Sequence, residues 1–293
     1  MSLARTLAAA PGLTAATATA VALLRSLVRS LRSRVVTDVP FSSLFGGRYV
    51  GPEWASGRAI TIGPAPGEVE DFSIYDRPGF DSSDVHPEIR RFYERTAEYA
   101  LSYETTWHRG FRTGAWLASF LTGRIEQLNL PGRSAAGVRT LESRIAFLDT
   151  AVDGRDARVW TRTDPETGEA VFVAVYATHE RDGVTYANVA VPLPGTNLST
   201  VLRPDALDAG SPDGGAGVRF TTRGVGDGGL YLVSPVGTLA LPMAQSFRVW
   251  PAAGHGGPIP PVDGAVLVAT HEMWLCGRQF LTIRYGIEPA ETT

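Results

Sequence analysis

Val171-Phe172-Val173-Ala174-Val175-Tyr176-Ala177-Thr178-His179-Glu180-Arg181-Asp182-Gly183-Val184-Thr185-Tyr186-Ala187-Asn188-Val189-Ala190-Val191 holds two β-branched and aromatic runs around an Asp-Gly pair. Such a pair between strand-like runs signals a two-residue hairpin, because the tight turn needs positive φ at both central residues. Counting back from Asp182-Gly183 sets Arg181 against Val184, His179 against Tyr186 and Ala177 against Asn188. Side chains alternate along a strand. One face therefore carries His179, Tyr186 and Asn188 among small residues (Ala177, Ala190), and the other carries Phe172, Tyr176, Val189 and Val191. Both faces are substantially apolar, as a sheet packed inside and covered outside requires.

Outward from this hairpin the period of two persists. It predicts strands near 141–149, 157–163, 170–180, 184–192, 197–203, 217–223, 229–234, 243–250, 265–275 and 279–287. Turn signals part them, among them Asp164-Pro165-Glu166-Thr167-Gly168, Pro212-Asp213-Gly214-Gly215 and Cys276-Gly277. Many short antiparallel strands at this spacing make a barrel or a sandwich. Upstream the pattern is different. Residues 1–37 carry Arg5, Arg25, Arg29, Arg32 and Arg34 and no acid, with Leu24, Leu27, Leu31 and Val35 at helical spacing. Residues 38–80 are loop-rich, with short strands expected at 59–62 and 71–74. Pro87 suits the first position of a helix, predicted over 87–104 with His86 or Asp84 as its cap. A second helix is predicted over 111–128. The expected class is α+β: N-terminal helices packed on a C-terminal antiparallel β-barrel, lipocalin-like, or a sandwich. The expected division is 1–37 as a basic amphipathic helix, 38–137 as a loop-rich and helical cover, and 138–293 as the barrel.

The junction between these halves is the stretch Ile74-Tyr75-Asp76-Arg77-Pro78-Gly79-Phe80-Asp81, continuing through Val85-His86-Pro87 into Glu88-Ile89-Arg90-Arg91-Phe92-Tyr93-Glu94-Arg95-Thr96. Together with Gln127-Leu128-Asn129-Leu130-Pro131, it resembles an uncharacterised family of hypothetical proteins common in actinobacterial genomes. The likeness extends to Gly277-Arg278-Gln279-Phe280-Leu281 and implies no activity. Within the stretch, Asp76 and Arg77 are expected to form a buried pair that locks strand to helix.

Composition bounds the function. A net charge of -3 over 293 residues argues against general nucleic-acid binding, which needs a basic surface. The single cysteine, Cys276, forms no internal disulfide and no thiolate metal site. No apolar run approaches the ~20 residues of a membrane-spanning helix. Gly224-Val225-Gly226-Asp227-Gly228-Gly229 satisfies the dinucleotide pattern, but Leu230-Tyr231-Leu232-Val233 follows as strand, so no helix N-terminus is available to hold a pyrophosphate.

Chemistry is sought instead in a repeated tetrapeptide, Ala177-Thr178-His179-Glu180 and Ala269-Thr270-His271-Glu272. Across the Cys276-Gly277 turn, counting sets His271 against Thr282 and Glu272 against Leu281. Histidine titrates near neutral pH and serves as general acid, base or hydrogen-bond donor. The candidate catalytic residues are His179, Tyr186 and His271; the candidate ligand contacts are Asn188, Tyr176, Trp274 and Tyr93. The His179 face is the expected lumen, with the aromatic surroundings of Tyr93 and Tyr176 as the other place for a ligand. Two readings stay open. In one, the barrel encloses a medium-sized, largely apolar small molecule and performs a cofactor-free isomerisation or cyclisation in specialised metabolism, with no metal and no nucleic-acid partner, in the cytoplasm. In the other, a non-enzymatic lipid-binding or carrier protein docks on a membrane surface through residues 12–35.

Overall fold

The computed structural model describes residues 34–47, 51–108, 138–207, 217–224, 226–253 and 257–290. The chain begins with two short strands, β1 (Val35–Val36) and β2 (Thr61–Pro64), and then forms one helix, α1 (Pro87–Glu94). Then follow β3 (Tyr99–Trp107), β4 (Arg139–Leu148), β5 (Arg158–Thr163), β6 (Ala170–Arg181), β7 (Val184–Leu193) and β8 (Thr196–Ala206). The rest is β9 (Val218–Thr221), β10 (Gly229–Ser234), β11 (Gly237–Ala240), β12 (Met243–Pro251), β13 (Leu267–Leu275) and β14 (Arg278–Pro289). Ten strands close into an antiparallel barrel in the order β8-β7-β6-β5-β4-β3-β14-β13-β12-β9 and back to β8. The far edge of β8 is shared: its first half pairs with β10 and its second half with β9. The hairpin of β10 and β11, with β1 added, leaves the barrel at that split.

The hairpin register counted from Asp182-Gly183 is the one observed, with His179 opposite Tyr186 and Ala177 opposite Asn188. Both turn residues have positive φ, 53° and 72°. The Cys276-Gly277 turn has the same form, with φ of 50° and 77°, yet its register departs from simple counting. A bulge sets Trp274 opposite Gln279 but Met273 opposite Leu281, so Phe280 is an extra residue on β14. His271 accordingly faces Ile283 rather than Thr282, and Glu272 faces Thr282 rather than Leu281.

The α+β expectation is corrected. The fold is mostly β, and α1 is the single α-helix among the described residues. The helix expected over 87–104 stops at Glu94, and residues 99–107 are a barrel stave instead. Tyr93, Thr96, Ala100 and Tyr103 share a helical face, but Tyr99, Leu101, Tyr103, Thr105 and Trp107 also alternate, and β-branched and aromatic residues favour the strand. Residues 71–74 do not form a strand but a tight 3₁₀ turn, Phe72–Tyr75, capped by the Asp71 carboxylate accepting from Ser73 N. The helix expected over 111–128 lies outside the described residues, as do residues 1–33 of the helix expected over 1–37; the end of that helix is corrected, because Val35–Val36 is strand β1, paired with β11.

The motif around α1 plugs one end of the barrel. Phe72, Tyr75, Phe80, Ile89, Phe92 and Tyr93 are all buried. They join one core with Val218 and Phe220 at the start of β9, Val249 near the end of β12, Leu267 at the start of β13 and Ile287 near the end of β14. In an antiparallel barrel those strand ends lie at the same rim. The plug helix starts as its sequence predicts: His86 Nδ1 accepts from Glu88 N at 3.2 Å and Pro87 occupies the first turn. Arg77 is not paired with Asp76. It donates to Asp205 Oδ1 at 2.9 Å and to the Pro204 carbonyl at 2.7 Å, tying the plug to β8, while Asp76 accepts from Ser82 N at 2.7 Å.

Among the described residues, irregular chain also covers the outer face of the sheet. Trp54 and Ala55 pack on Val159, Val173, Val175 and Ala177. Val39, with Val36, Phe41 and Phe45, packs on Tyr186, Val201, Tyr231 and Val233.

Candidate functional site

Inward-facing residues above the plug enclose a cavity of about 330 Å³. Its wall is apolar for most of its extent, with Val171, Val189, Val191, Leu198, Phe247 and Met273 among the lining side chains. Tyr93 of α1 and Phe220 of β9 lie at the plug end, with ring centroids 5.1 Å apart. Trp107, Met243 and Phe280, from strand ends at the opposite rim, line it too.

A few polar groups break this wall. Arg162 of β5 lays its guanidinium 3.6 Å from the ring centroid of Trp160 and 5.1 Å from that of Phe172. Its Nε is buried without a hydrogen-bond partner, and the guanidinium lies beside the Tyr285 hydroxyl. The Tyr93 hydroxyl is likewise buried and unpartnered. Burial drives the Tyr93, Tyr176 and Tyr285 phenols upward, so they remain donors. His271 of β13 contacts Gln245 Oε1 through Nε2 at 3.0 Å, which places its proton on Nε2. Burial, and after it the neighbouring Arg162, pulls its pKa down to about 3, so the ring is neutral. Glu68 approaches from the strap before the plug. Burial pushes its carboxyl up to about 7 against the pull of Arg162 and Arg158. The same side chain also lines an outer cleft with Asp71, Ser73, Arg158 and Thr178.

The predicted site residues divide between two places. Tyr93, Tyr176 and His271 line the lumen together. His179, Tyr186 and Asn188 do not: the lumen belongs to the other face of the hairpin, the one bearing Phe172, Tyr176 and Val189. His179 and Tyr186 are neighbours with stacked rings, centroids 5.2 Å apart, but they are buried beneath the outer cover. Asn188 Nδ2 donates to His179 Nδ1 at 2.8 Å, and His179 Nε2 then donates to Asp227 Oδ2 at 2.9 Å. Arg181 Nε reaches the same Asp227 oxygen at 2.9 Å, and the Tyr231 hydroxyl donates to the Asp227 carbonyl at 2.7 Å. This network pins the loop between β9 and β10 to the hairpin. Gly226 of that loop has φ +99°, and a Cβ there would fall 2.1 Å from the Tyr186 hydroxyl. The glycine motif thus serves close packing against a tyrosine. Trp274 lies on the exterior of β13, beneath the Arg223 guanidinium at 4.1 Å. The two histidine tetrapeptides therefore point to opposite sides of the barrel wall.

Arg162 and Glu68 were not among the predicted residues. Arg162 carried a signal: it shares a strand face with Trp160, and a charge alternating with tryptophan on one face marks a charge that is buried or lines a cavity. Glu68 sits in a Gly-rich loop and carried none. Among the described residues no group of three or more His, Cys, Asp or Glu is placed to hold a metal.

Fold and site together define a closed antiparallel barrel, plugged at one end, with an apolar lumen that among the described residues contains a single guanidinium. Over 263 aligned residues the chain is 31% identical to the uncharacterized membrane protein YndJ of Bacillus subtilis (strain 168). The alignment takes in 86% of this chain but 44% of YndJ, so the chain spans less than half the length of that relative. No family model matches the chain, and no solved structure does. No described helix is long and apolar enough to cross a membrane.

Proposed function

We propose that the protein binds a medium-sized, largely apolar small molecule in the barrel lumen. The observation that carries this is the cavity of about 330 Å³, walled mainly by apolar side chains and closed at one end by the plug. Ligand sites are commonly of this size and kind: concave, apolar, with a few converging polar groups. A well-packed interior leaves few voids larger than a water molecule, so an opening of this extent has to be held open by the staves around it. The similarity to YndJ, a protein named for a membrane, favours a lipid-like molecule over a sugar or nucleotide. Binding is the core of the reading. Any isomerisation or cyclisation would depend on Tyr93, Tyr176 and Arg162 as orienting donors, with the neutral His271 offering Nδ1 as an acceptor.

A neutral apolar fluorophore, N-phenyl-1-naphthylamine, tests it directly. Wild-type protein is expected to enhance its fluorescence saturably at one molecule per chain. Ala187 lines the lumen from β7, and Ala187→Trp would fill the space. That variant, with its thermal unfolding retained, should lose the enhancement. Equal enhancement in wild type and variant would place the fluorophore elsewhere and overturn the reading.

A further inference from the structure

We propose that the lumen's ligand is an apolar acid, a hydrocarbon body carrying one anionic head such as a carboxylate, with the head held by Arg162 and Tyr93. This deepens the binding proposal and rests on it. The polar groups of the lumen are unbalanced. Donors dominate: the Arg162 guanidinium and the hydroxyls of Tyr93, Tyr176 and Tyr285. Acceptors are few: Gln245 Oε1 is already taken by His271, and the Glu68 carboxyl, which also lines the cavity, makes no ion pair with Arg162. Two of the donors, Arg162 Nε and the Tyr93 hydroxyl, are buried with no acceptor. Tyr93 is 4% exposed and lines the cavity. A buried donor left unmade is costly, and each of these would gain an acceptor from an oxyanion placed between them.

Charge points the same way. Arg162 brings a guanidinium, which offers donors and no acceptor. Among the described residues no carboxylate lies within 4.0 Å of its guanidinium. Glu68 is near enough to feel its field, yet burial holds that carboxyl up at about 7, so near neutral pH much of it is an uncharged acid. His271 is neutral. The lumen thus presents a positive charge without an ion-pair partner in an apolar wall, which is costly unless a counterion arrives. A planar guanidinium suits a carboxylate bidentately. A neutral apolar ligand would leave both orphaned donors as they are, and an amine would meet Arg162 with like charge.

The test displaces N-phenyl-1-naphthylamine with decanoate, 1-decanol and decylamine at equal ionic strength. Decanoate is expected to displace it at concentrations at least about tenfold lower than 1-decanol, with decylamine weakest. In Arg162→Gln the acid and the alcohol should fall within about threefold of each other, while the fluorophore still binds. Should Arg162→Gln not fold, Tyr93→Phe keeps the core ring and removes only the hydroxyl; decanoate should then weaken by about three- to tenfold and 1-decanol stay unchanged. If 1-decanol matches decanoate in the wild type, or the preference survives Arg162→Gln, or Tyr93→Phe shifts both competitors alike, the head-group assignment is overturned and the lumen remains a site for neutral molecules. If the fluorophore itself does not enter, the binding proposal fails, and this inference with it.

Discussion

At the scale of single residues, Glu68 and His271 are two half-buried, lumen-lining groups whose effects on stability oppose each other. The folded Glu68 keeps its proton up to about pH 7, whereas the unfolded side chain releases it near 4.5. Its contribution is complete below 4.5 and is lost as pH rises through 7. His271 runs the other way. Unfolded, it takes a proton near 6.5; folded, only near 3, so stability is lost as pH falls from 6.5 toward 3. Between 4.5 and 6.5 the two slopes cancel, and single substitutions separate them. Glu68→Gln should gain in melting temperature relative to wild type on going from pH 5 to pH 8. A pH-independent difference would mean that Glu68 is solvated through the outer cleft. At this scale the sequence was partly legible. Asp182-Gly183 fixed which side chains face one another, because turn geometry leaves no freedom in register. It left open whether a face is interior, since Phe172 and Val173 are equally apolar neighbours on opposite sides of one strand. Glu68 gave no signal at all, because its environment is assembled from β5, β6 and the plug.

Among the elements, the plug's attachment to β8 is the most exposed to test. Asp205 receives three arginines: Arg77 at 2.9 Å, Arg203 at 3.1 Å and Arg219 at 3.0 Å. Arg77 is 9% exposed and also lies 5.1 Å from the Phe80 ring centroid. Removing Arg77 leaves Asp205 with two cations, so Arg77→Ala should cost about 1–3 kcal/mol, mainly lost hydrogen bonds. Removing Asp205 strands a buried guanidinium beside two others, and Asp205→Ala should cost more, about 3–5 kcal/mol. Urea unfolding of both variants gives the order; the reverse order would show that the arginines are wet and the plug is held by its aromatics alone. The sequence marked this stretch as the pivot but gave the wrong partner, since Asp76 is adjacent in the chain and Asp205 is not. It also misread residues 99–107, where a helical and an alternating pattern coincide and only pairing with β14 decides. The bulge at Phe280 was beyond counting for a similar reason: an extra residue changes no local propensity, yet it shifts one strand against the other.

For the whole molecule, the strand train announced a barrel, and from β4 onward the observed strands follow the expected ones closely, except that β11 was not expected. Which face became the lumen depended on the cover. Val39, Phe41, Phe45, Trp54 and Ala55 belong to what reads as a loop-rich lead-in, but they roof one side of the sheet and so leave the Tyr176 face for the interior. The closure has two short seams, β3 against β4 over three residue pairs and β9 against its two neighbours over four each. β9 is 4 residues long and bridges β8 to β12, whereas β14, deep in the wall, has 12. Opening on either side of β9 breaks four residue pairings, against seven between β6 and β7 and nine between β13 and β14, although it uncovers Val218 and Phe220, which are buried against the plug. Native-state hydrogen exchange should therefore show β9, and the halves of β8 and β12 that face it, opening at a lower free energy than β6–β7 or β13–β14. Phe220 belongs to that seam and also lines the lumen. Saturating N-phenyl-1-naphthylamine should then slow exchange at β9 more than elsewhere, because a filled lumen resists the opening that would empty it. Exchange of β9 at the same free energy as β14, with or without the fluorophore, would mean the barrel opens only as a unit. The ligand would then have to pass the rim formed by Trp107, Met243 and Phe280.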